Sequence, residues 1–259
     1  MDSGDLLYRV ENNVAWLTIN REKNRNSING AVIEGFFKYL DEAENDPEVR
    51  VVCVTAAGNR AFCAGADLAN AMGGGVGKAQ SGNQAYADLL KRIAGYPKPT
   101  VARVAGSCVA GGTGFMLACD IVIAANTAKF GTPEVNVGLF PLMIGALIFR
   151  NVPRKAAMEM ILLGDKITAE KALEMGMLTR VVAPEALDAE VDKVLSTLAK
   201  KSPIGMKIGK EAYYAVDSMD LESALDLLSG KLSDVAATED AKEGITAFLE
   251  KREPKFTGK

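Results

Sequence analysis

The sequence predicts an α/β fold followed by a helical C-terminal region. In the first half, segments with the period of a strand alternate with segments that have the period of an amphipathic helix, a pattern typical of α/β domains. From Arg154 onward, strand signals vanish except at residues 179–182, and helical segments dominate. The 259 residues suffice for one large core or two small ones. We expect an α/β core over residues 1–184 and a helical layer over residues 185–259.

Local patterns predict the individual elements. Residues 6–10 and 14–19 alternate between apolar and polar side chains or are β-branched, which predicts the two strands of a hairpin. Asn29 is a suitable N-cap for an amphipathic helix over residues 31–44. Further strands are predicted at residues 51–55, 100–104 and 121–125, further helices at residues 84–93 and 111–118, and C-terminal helix starts at Ser202 and Thr238. Strand–strand–helix units therefore recur, without a fixed sequence repeat.

Composition excludes several classes of function. There are 30 basic and 33 acidic residues and no histidine, so an imidazole base and the commonest zinc and haem sites are impossible. The balanced charge argues against binding to nucleic acid or an anionic membrane. No apolar run reaches the ~20 residues that cross a bilayer, and the acidic N-terminus is unlike a secretion signal. We expect a cytoplasmic protein.

The four cysteines are expected to be reduced and buried. They stand at positions 53, 63, 108 and 119, in apolar or glycine-rich runs. None of their spacings is that of a zinc knuckle or a redox pair. The sequence therefore predicts no metal site.

Three glycine-rich segments are candidate binding turns. Residues 73–78 fail as a phosphate loop, because Ala79 follows Lys78 where Ser or Thr is needed, and we expect a loop there. Residues 106–114 lie between a strand and a helix, but a dinucleotide fingerprint would need glycine in place of Leu117. Residues 61–68 form a third cramped turn. Such strand-to-helix turns expose N–H groups that bind an anion or a developing oxyanion.

Together these segments resemble the enoyl-CoA hydratase/isomerase (crotonase) family. The matching segments are residues 20–21, 62–68, 104–112, 119–121, 130–134 with Gly138, 167–172 with Gly176, and 250–256. The resemblance covers essentially the whole chain. It implies a crotonase-like spiral of repeated strand–strand–helix units and a helical C-terminal part that builds homotrimers or homohexamers. It also implies an acyl-CoA thioester as substrate, with no cofactor besides that coenzyme A.

The resemblance further implies where the chemistry occurs. The backbone N–H groups of Ala66 and Gly111 would form an oxyanion hole for the thioester oxygen, where one donor is worth about 3 kcal/mol. Hydratases of the family carry two glutamates. The second matches Glu134, whereas Gly114 stands at the first position. One carboxylate suffices to move a proton between two carbons, so we expect double-bond isomerisation with Glu134 as acid/base. From the residues alone, a solvated acid at a helix start is the favoured interpretation of Glu134; the resemblance shifts the expectation to catalysis.

The remaining substrate contacts are expected from both ends of the chain. Lys23, Arg25 and Lys251 are candidates for the coenzyme A phosphates, with ordinary surface charge as the alternative. Phe248 is expected either to close the acyl pocket or to belong to the core. The turns and the helix after Pro141 add Ala64, Asp67, Leu68, Gly114 and Leu142.

Three alternatives remain open from the sequence. The first is enoyl-CoA hydration by Glu134 and a water held by the backbone. The second is an NAD-dependent oxidoreductase, because glycine turns in an α/β protein also bind dinucleotides. The third is a non-catalytic acyl-CoA-binding protein, because loss of one acid is what an inactive relative would carry.

Overall fold

The computed structural model describes residues 4–67 and 76–259, with the side chains of residues 76–80 excepted. Leu68, which was expected at the substrate, and the glycine run at 73–75 lie outside the described residues. The strands of the described part are β1 (Leu6–Glu11), β2 (Val14–Ile19), β3 (Val51–Ala56), β4 (Ala61–Cys63), β5 (Thr100–Val104), β6 (Ser107–Val109), β7 (Ile121–Ala125), β8 (Lys129–Gly131), β9 (Ile167–Thr168) and β10 (Arg180–Val182).

These strands form two sheets. A large sheet has the order β1–β2–β3–β5–β7–β10, and a small sheet has the order β4–β6–β8–β9. All pairs of the large sheet are parallel except β1 with β2, and in the small sheet β4, β6 and β8 are mutually parallel. Each of the successive pairs β3–β4, β5–β6 and β7–β8 places its first strand in the large sheet and its second in the small one. This arrangement confirms the predicted spiral of strand–strand–helix units.

Helices cover the sheets and form the C-terminal region. Within the described residues they are α1 (Gly30–Asn45), α2 (Val76–Ala94), α3 (Gly111–Ala118), α4 (Leu142–Asn151), α5 (Arg154–Leu163), α6 (Ala169–Glu174), α7 (Leu187–Ala199), α8 (Pro203–Val216), α9 (Leu221–Ala236) and α10 (Glu239–Glu250). Single 3-10 turns lie at Glu22–Asn24, Pro133–Val137 and Pro184–Ala186. Strand β3 is buried along its whole length, as expected for a parallel sheet covered on both faces. Leu187 and Val191 of α7 pack onto one face of the large sheet.

Local sequence explains the first elements. Asn12 and Asn13 adopt φ of 52° and 63°, the left-handed conformations that a two-residue type I′ hairpin requires. The side chain of Asn29 accepts a hydrogen bond from the Val32 N–H at 2.9 Å, which caps α1 as predicted. Phe36 and Leu40 of α1 are fully buried, and each contributes roughly 1.5–3 kcal/mol of burial free energy.

Several sequence predictions differ from the structure. Helix α2 begins at Val76 and not near Gln84, so Gly77 and Lys78 belong to its first turn and not to a loop. The short strand β9 at Ile167–Thr168 was not predicted; it pairs antiparallel with β8 through Phe130 and Ile167. Two residues are too few to carry a strand period.

The C-terminal helices leave much apolar surface uncovered in the single chain. Their start signals were predicted correctly, since Ser202 and Thr238 cap α8 and α10. The predicted apolar face of α10 is exposed, with Ile245 at 64% and Phe248 at 82%. The expectation that Phe248 belongs to the core is therefore wrong, because the described residues of its own chain leave most of its side chain uncovered. All four cysteines are free and buried, as predicted. Within the described residues, no helix has the length and hydropathy needed to cross a bilayer.

Candidate active site

Three segments meet at one edge of the small sheet because β4, β6 and β8 run parallel. Parallel strands present their carboxyl ends on the same side, where irregular loops gather. Strand β4 is followed by the turn at residues 64–67, β6 by Ala110 and Gly111, and β8 by Thr132 and the 3-10 turn that carries Glu134. The topology therefore brings together residues that lie as far apart as Ala66 and Glu134 in the chain.

The first two turns are in direct contact. A Cβ atom added to Gly65 would lie 3.1 Å from the Gly111 nitrogen, and one added to Gly111 would lie 3.5 Å from the Gly65 Cα. Gly65 has φ of +90°, a conformation that favours glycine. The Ala66 and Gly111 amides are thus neighbours in space, although their role as donors to a thioester stays a prediction.

The turn that carries Ala66 is held by the segment before α1. The Ile28 N–H donates to the Gly65 carbonyl at 2.8 Å, and the Asp67 N–H donates to the Ile28 carbonyl at 2.9 Å. The Arg21 guanidinium forms an ion pair with the Asp67 carboxylate at 2.8 Å, and both side chains are only 9% exposed. Asp67 was expected at the substrate; in this structure its carboxylate bonds Arg21 and so anchors the turn.

The turn before α3 is conformationally strained. Ala110 has φ of 51° and ψ of −134°, which is unfavourable for an L-residue by roughly 1–3 kcal/mol. Its N–H donates to the Gly131 carbonyl at 3.0 Å. A Cβ on Gly112 would lie 2.6 Å from the Cys63 carbonyl oxygen, so only glycine fits there. These contacts direct the first N–H groups of α3 toward the Ala66 turn.

Neither the Ala66 nor the Gly111 N–H donates a hydrogen bond to another described residue. For Gly111 this follows from its place in the first turn of a helix, where no intrahelical acceptor exists. Two adjacent donors that have no acceptor within the described part of the chain, one of them at the positive end of a helix, are suited to an oxygen that gains negative charge.

Glu134 supplies the nearby carboxylate. It lies in the first turn of the 3-10 helix Pro133–Val137. Its Oε2 atom is buried and has no hydrogen-bond partner among the described residues, and the residue as a whole is partly buried. The carboxylate is therefore not the fully solvated acid of the alternative interpretation. Burial raises the pKa of Glu134 above its ordinary value. The apolar residues that follow Glu134 in sequence do not account for this burial, since Val137, Leu139 and Phe140 are 66%, 53% and 49% exposed.

Tyr86 enters the site from α2 and was missed by sequence reasoning. It is 7% exposed, and its hydroxyl donates a short hydrogen bond to the Gly111 carbonyl. Its ring meets Phe115 edge-on at 5.6 Å between centroids. The contact joins residues that are 25 apart in sequence. An aromatic residue on an amphipathic helix is predicted to be a core residue, so no local sequence signal indicates that Tyr86 belongs to the site.

A polar cleft lies behind the Ala66 turn. It has a volume of about 260 Å³ and is lined by Glu22, Lys23, Arg25, Asn26, Arg60 and Ala61. Lys23 and Arg25 were predicted as phosphate contacts, whereas Arg60 was not considered. Three cations against one carboxylate give this cleft a net attraction for anions.

The other predicted substrate residues are scattered. Leu142 begins α4 and is 76% exposed, Lys251 is the exposed C-cap of α10, and Ala64 donates its N–H to the Arg25 carbonyl at 3.1 Å. Gly114 is buried on α3. Their contacts with a substrate stay predictions.

The cysteine beside the site has no part as a nucleophile. Burial raises the pKa of the Cys63 thiol to about 12, so it stays protonated at neutral pH, where only a thiolate reacts. Among the described residues, no group of three or more His, Cys, Asp or Glu is placed to hold a metal ion.

Comparison with known proteins identifies the class to which this fold and site belong. The sequence model of the enoyl-CoA hydratase/isomerase family matches residues 9–259, so the chain belongs to that family, whose members are enzymes acting on acyl-CoA. The assignment overturns the reading as an NAD-dependent oxidoreductase.

Individual relatives are similar over almost their whole length. The chain is 35% identical to 1,2-epoxyphenylacetyl-CoA isomerase of Escherichia coli (98% of each chain) and 33% identical to 2,3-dehydroadipyl-CoA hydratase of the same organism (98% of this chain and 99% of that one). The crystal structure of an enoyl-CoA hydratase of Mycobacterium smegmatis superimposes with a TM-score of 0.93 at 34% identity, over 97% of this chain and 98% of that one. These relatives include both reaction types named by the family.

Proposed function

We propose that the protein moves the double bond of a 3-enoyl-CoA to the 2-position, with Glu134 as the sole acid/base. The observation that carries the proposal is the buried, unpartnered Oε2 of Glu134, at the sheet edge where the Ala66 and Gly111 amides meet. The proposal includes catalysis, and so stands against a non-catalytic acyl-CoA-binding role. We place the reaction in the cytoplasm.

The reaction needs one base and one oxyanion site. Glu134 removes a proton from C2, between the thioester and the double bond. The electrons of that C–H bond form C1=C2 while the carbonyl π electrons move onto the thioester oxygen. The negative charge spreads onto the thioester oxygen, which accepts hydrogen bonds from the Ala66 and Gly111 N–H groups. As the C1=O bond re-forms, the C1=C2 electrons form C2=C3, and the electrons of the former C3=C4 bond take the proton from protonated Glu134 at C4. One C–H bond breaks and one forms, so the product is an isomer of the substrate.

The raised pKa of Glu134 suits this exchange. A carboxyl group whose pKa lies nearer neutrality is a stronger base when ionised and still gives its proton back readily. Its unsatisfied oxygen is free for the substrate proton. The cleft lined by Lys23, Arg25 and Arg60 is proposed to bind coenzyme A phosphates.

Hydration is the second candidate. It is favoured by the relatives named as hydratases, including 2,3-dehydroadipyl-CoA hydratase. Against it, position 114 carries glycine, so the site lacks a second acid on α3 to hold and activate water. The hydratase reading would require the backbone alone to position that water.

The two candidates are separated by supplying a 3-enoyl-CoA and, in parallel, a 2-enoyl-CoA. We expect conjugated 2-enoyl-CoA to form from the first faster than 3-hydroxyacyl-CoA forms from the second. Glu134→Gln should lower isomerisation about 100-fold or more, the usual loss of a general base. Glu159→Gln, an exposed glutamate on α5, is the matched control and should keep full activity. Faster hydration than isomerisation would overturn the proposal, and full activity of Glu134→Gln would remove Glu134 from the mechanism.

A further inference from the structure

Tyr86 and position 114 compete for the same space. A Cβ atom on Gly114 would overlap the Tyr86 hydroxyl oxygen, and it would lie 2.8 Å from Ile144 Cγ2 and 3.2 Å from Leu90 Cδ2. The overlap with Tyr86 is the tightest of the three. Any side chain at position 114 therefore requires the hydroxyl to leave.

The hydroxyl itself is fixed from two sides. It donates to the Gly111 carbonyl, one helical turn before Gly114, and its ring rests on Phe115. Moving Tyr86 would break that hydrogen bond and the aromatic contact together, and would shift α2 against α3. Rigid interiors resist such changes.

The space in question belongs to the site. A Cβ atom added to Gly111 would lie 3.5 Å from the Tyr86 hydroxyl oxygen. In addition to burial, the carboxylate of Glu134 is near enough to raise the pKa of the Tyr86 phenol. Burial first, then the neighbouring Cys63, Cys108 and Glu134, raise the pKa of Tyr86 well above its ordinary value. The phenol thus keeps its proton at neutral pH and directs it to Gly111. The protonated phenol therefore cannot act as the base that activates a water molecule.

We propose that Tyr86 determines which reaction the site performs, by filling the place from which a second acid on α3 would activate water. The inference rests on the proposed function and deepens it. With Tyr86 present, Glu134 acts alone and the double bond shifts. With Tyr86 absent and an acid at position 114, two carboxyl groups would face the substrate, as hydration needs for delivering a hydroxyl to one carbon and a proton to the next.

The test compares two double variants that differ only in whether the side chain at position 114 ends in a carboxylate or in an amide. Tyr86→Ala with Gly114→Glu removes the tightest overlap and adds the acid, whereas Tyr86→Ala with Gly114→Gln removes the same overlap and adds a neutral isostere. The contact of the new Cβ with Ile144 Cγ2 at 2.8 Å is common to both variants. On a 2-enoyl-CoA we expect the glutamate variant to form 3-hydroxyacyl-CoA at least tenfold faster than the glutamine variant. Tyr86→Ala alone should match the glutamine variant. Equal hydration by both folded double variants would overturn the proposal.

A second measurement decides the matter if the double variants fail to fold. Thermal unfolding is followed for Gly114→Ala in the natural chain and in Tyr86→Phe, which lacks only the hydroxyl. The drop in Tm caused by alanine should be clearly larger when the hydroxyl is present, since Ile144 and Leu90 contribute equally to both. Equal drops would show no competition and would overturn the inference. Failure of the proposed function appears elsewhere, in the isomerase assay of the natural protein.

Discussion

The Glu134 carboxyl group ties activity and stability to the same proton. Because burial raises its pKa, kcat/KM for isomerisation should be constant at high pH and fall as pH drops through that raised pKa, where the base becomes protonated. The midpoint should lie above the ordinary glutamate value of 4.5. A pH–rate profile of the natural protein measures it, and a midpoint at or below 4.5 would contradict the assignment.

Stability should change in the opposite sense. A raised folded-state pKa means that the native protein holds this proton more tightly than the unfolded chain does. The contribution of Glu134 to the free energy of unfolding is therefore fully present below the unfolded pKa and is lost as pH rises through the folded pKa. Glu134→Gln should remove this loss, so the variant should gain stability relative to the natural protein between acid and neutral pH. Denaturant unfolding at several pH values measures the difference.

Gly65 is the residue on which the contact of the two turns depends. Alanine there would have to adopt φ of +90°, and its Cβ would lie 2.7 Å from that of Ala110. We expect Gly65→Ala to cost more than about 1 kcal/mol of unfolding free energy and, by separating the two amides, to lower kcat about 100-fold.

The control for Gly65 is a glycine whose Cβ would meet nothing. Gly230 lies within α9, and apart from the backbone of that helix no heavy atom of the described residues lies within 4 Å of the added Cβ. Gly230→Ala should stabilise the helix by roughly 0.5–1 kcal/mol and leave kcat unchanged. Equal effects of both substitutions on kcat would mean that the contact between the turns has no role in catalysis.

At the scale of an element, the turn after β4 is positioned by charge. Arg21→Met would remove the guanidinium that pairs with the buried Asp67 carboxylate. We expect a loss of roughly 3 kcal/mol in unfolding free energy, because a buried charge loses its counter-ion. Arg150→Met breaks the exposed pair with Asp217, whose side chains are 56% and 55% exposed, and should cost under about 1 kcal/mol. Chemical denaturation of the two variants compares them; similar losses would contradict the argument.

The bounds of a helix or strand could be predicted where the period of its apolar residues agrees with the signals that start and end it. Helix α3 and strands β5 and β7 have the predicted bounds, since the largely apolar segments there end at glycine, proline or a polar turn. The first turns of α2 were missed because Gly77 and Gly82 lower helix propensity, and only the assembled fold keeps them helical. Tyr86 lies on that same helix, and its significance arises from a long-range contact with Gly111 that no local pattern carries.

Across the whole molecule, the same apolar periodicity was misread in one place. Ile245, Phe248 and Leu249 of α10 have the spacing of a core face, yet they are 64%, 82% and 74% exposed. On the adjoining α9, Leu221 and Leu232 are 76% and 70% exposed. The period of apolar residues predicts that one face of a helix is buried. It does not indicate whether the same chain or another chain covers that face. Monomeric proteins rarely expose large apolar patches, so we propose that copies of the chain bury these faces against one another.

The resemblance to the enoyl-CoA hydratase/isomerase family implies a homotrimer or homohexamer, so we expect a mass in sedimentation equilibrium of three or six times 27.5 kDa. Phe248→Glu places a charge where apolar contact is needed and should shift the protein toward the single-chain mass. Lys242→Glu changes the charge of the same helix at a position that is 62% exposed and ion-paired with Glu239, and should leave the assembly intact. A natural protein that sediments as one chain would contradict the expectation, because α9 and α10 would then present their leucines and phenylalanine to water at full hydrophobic cost.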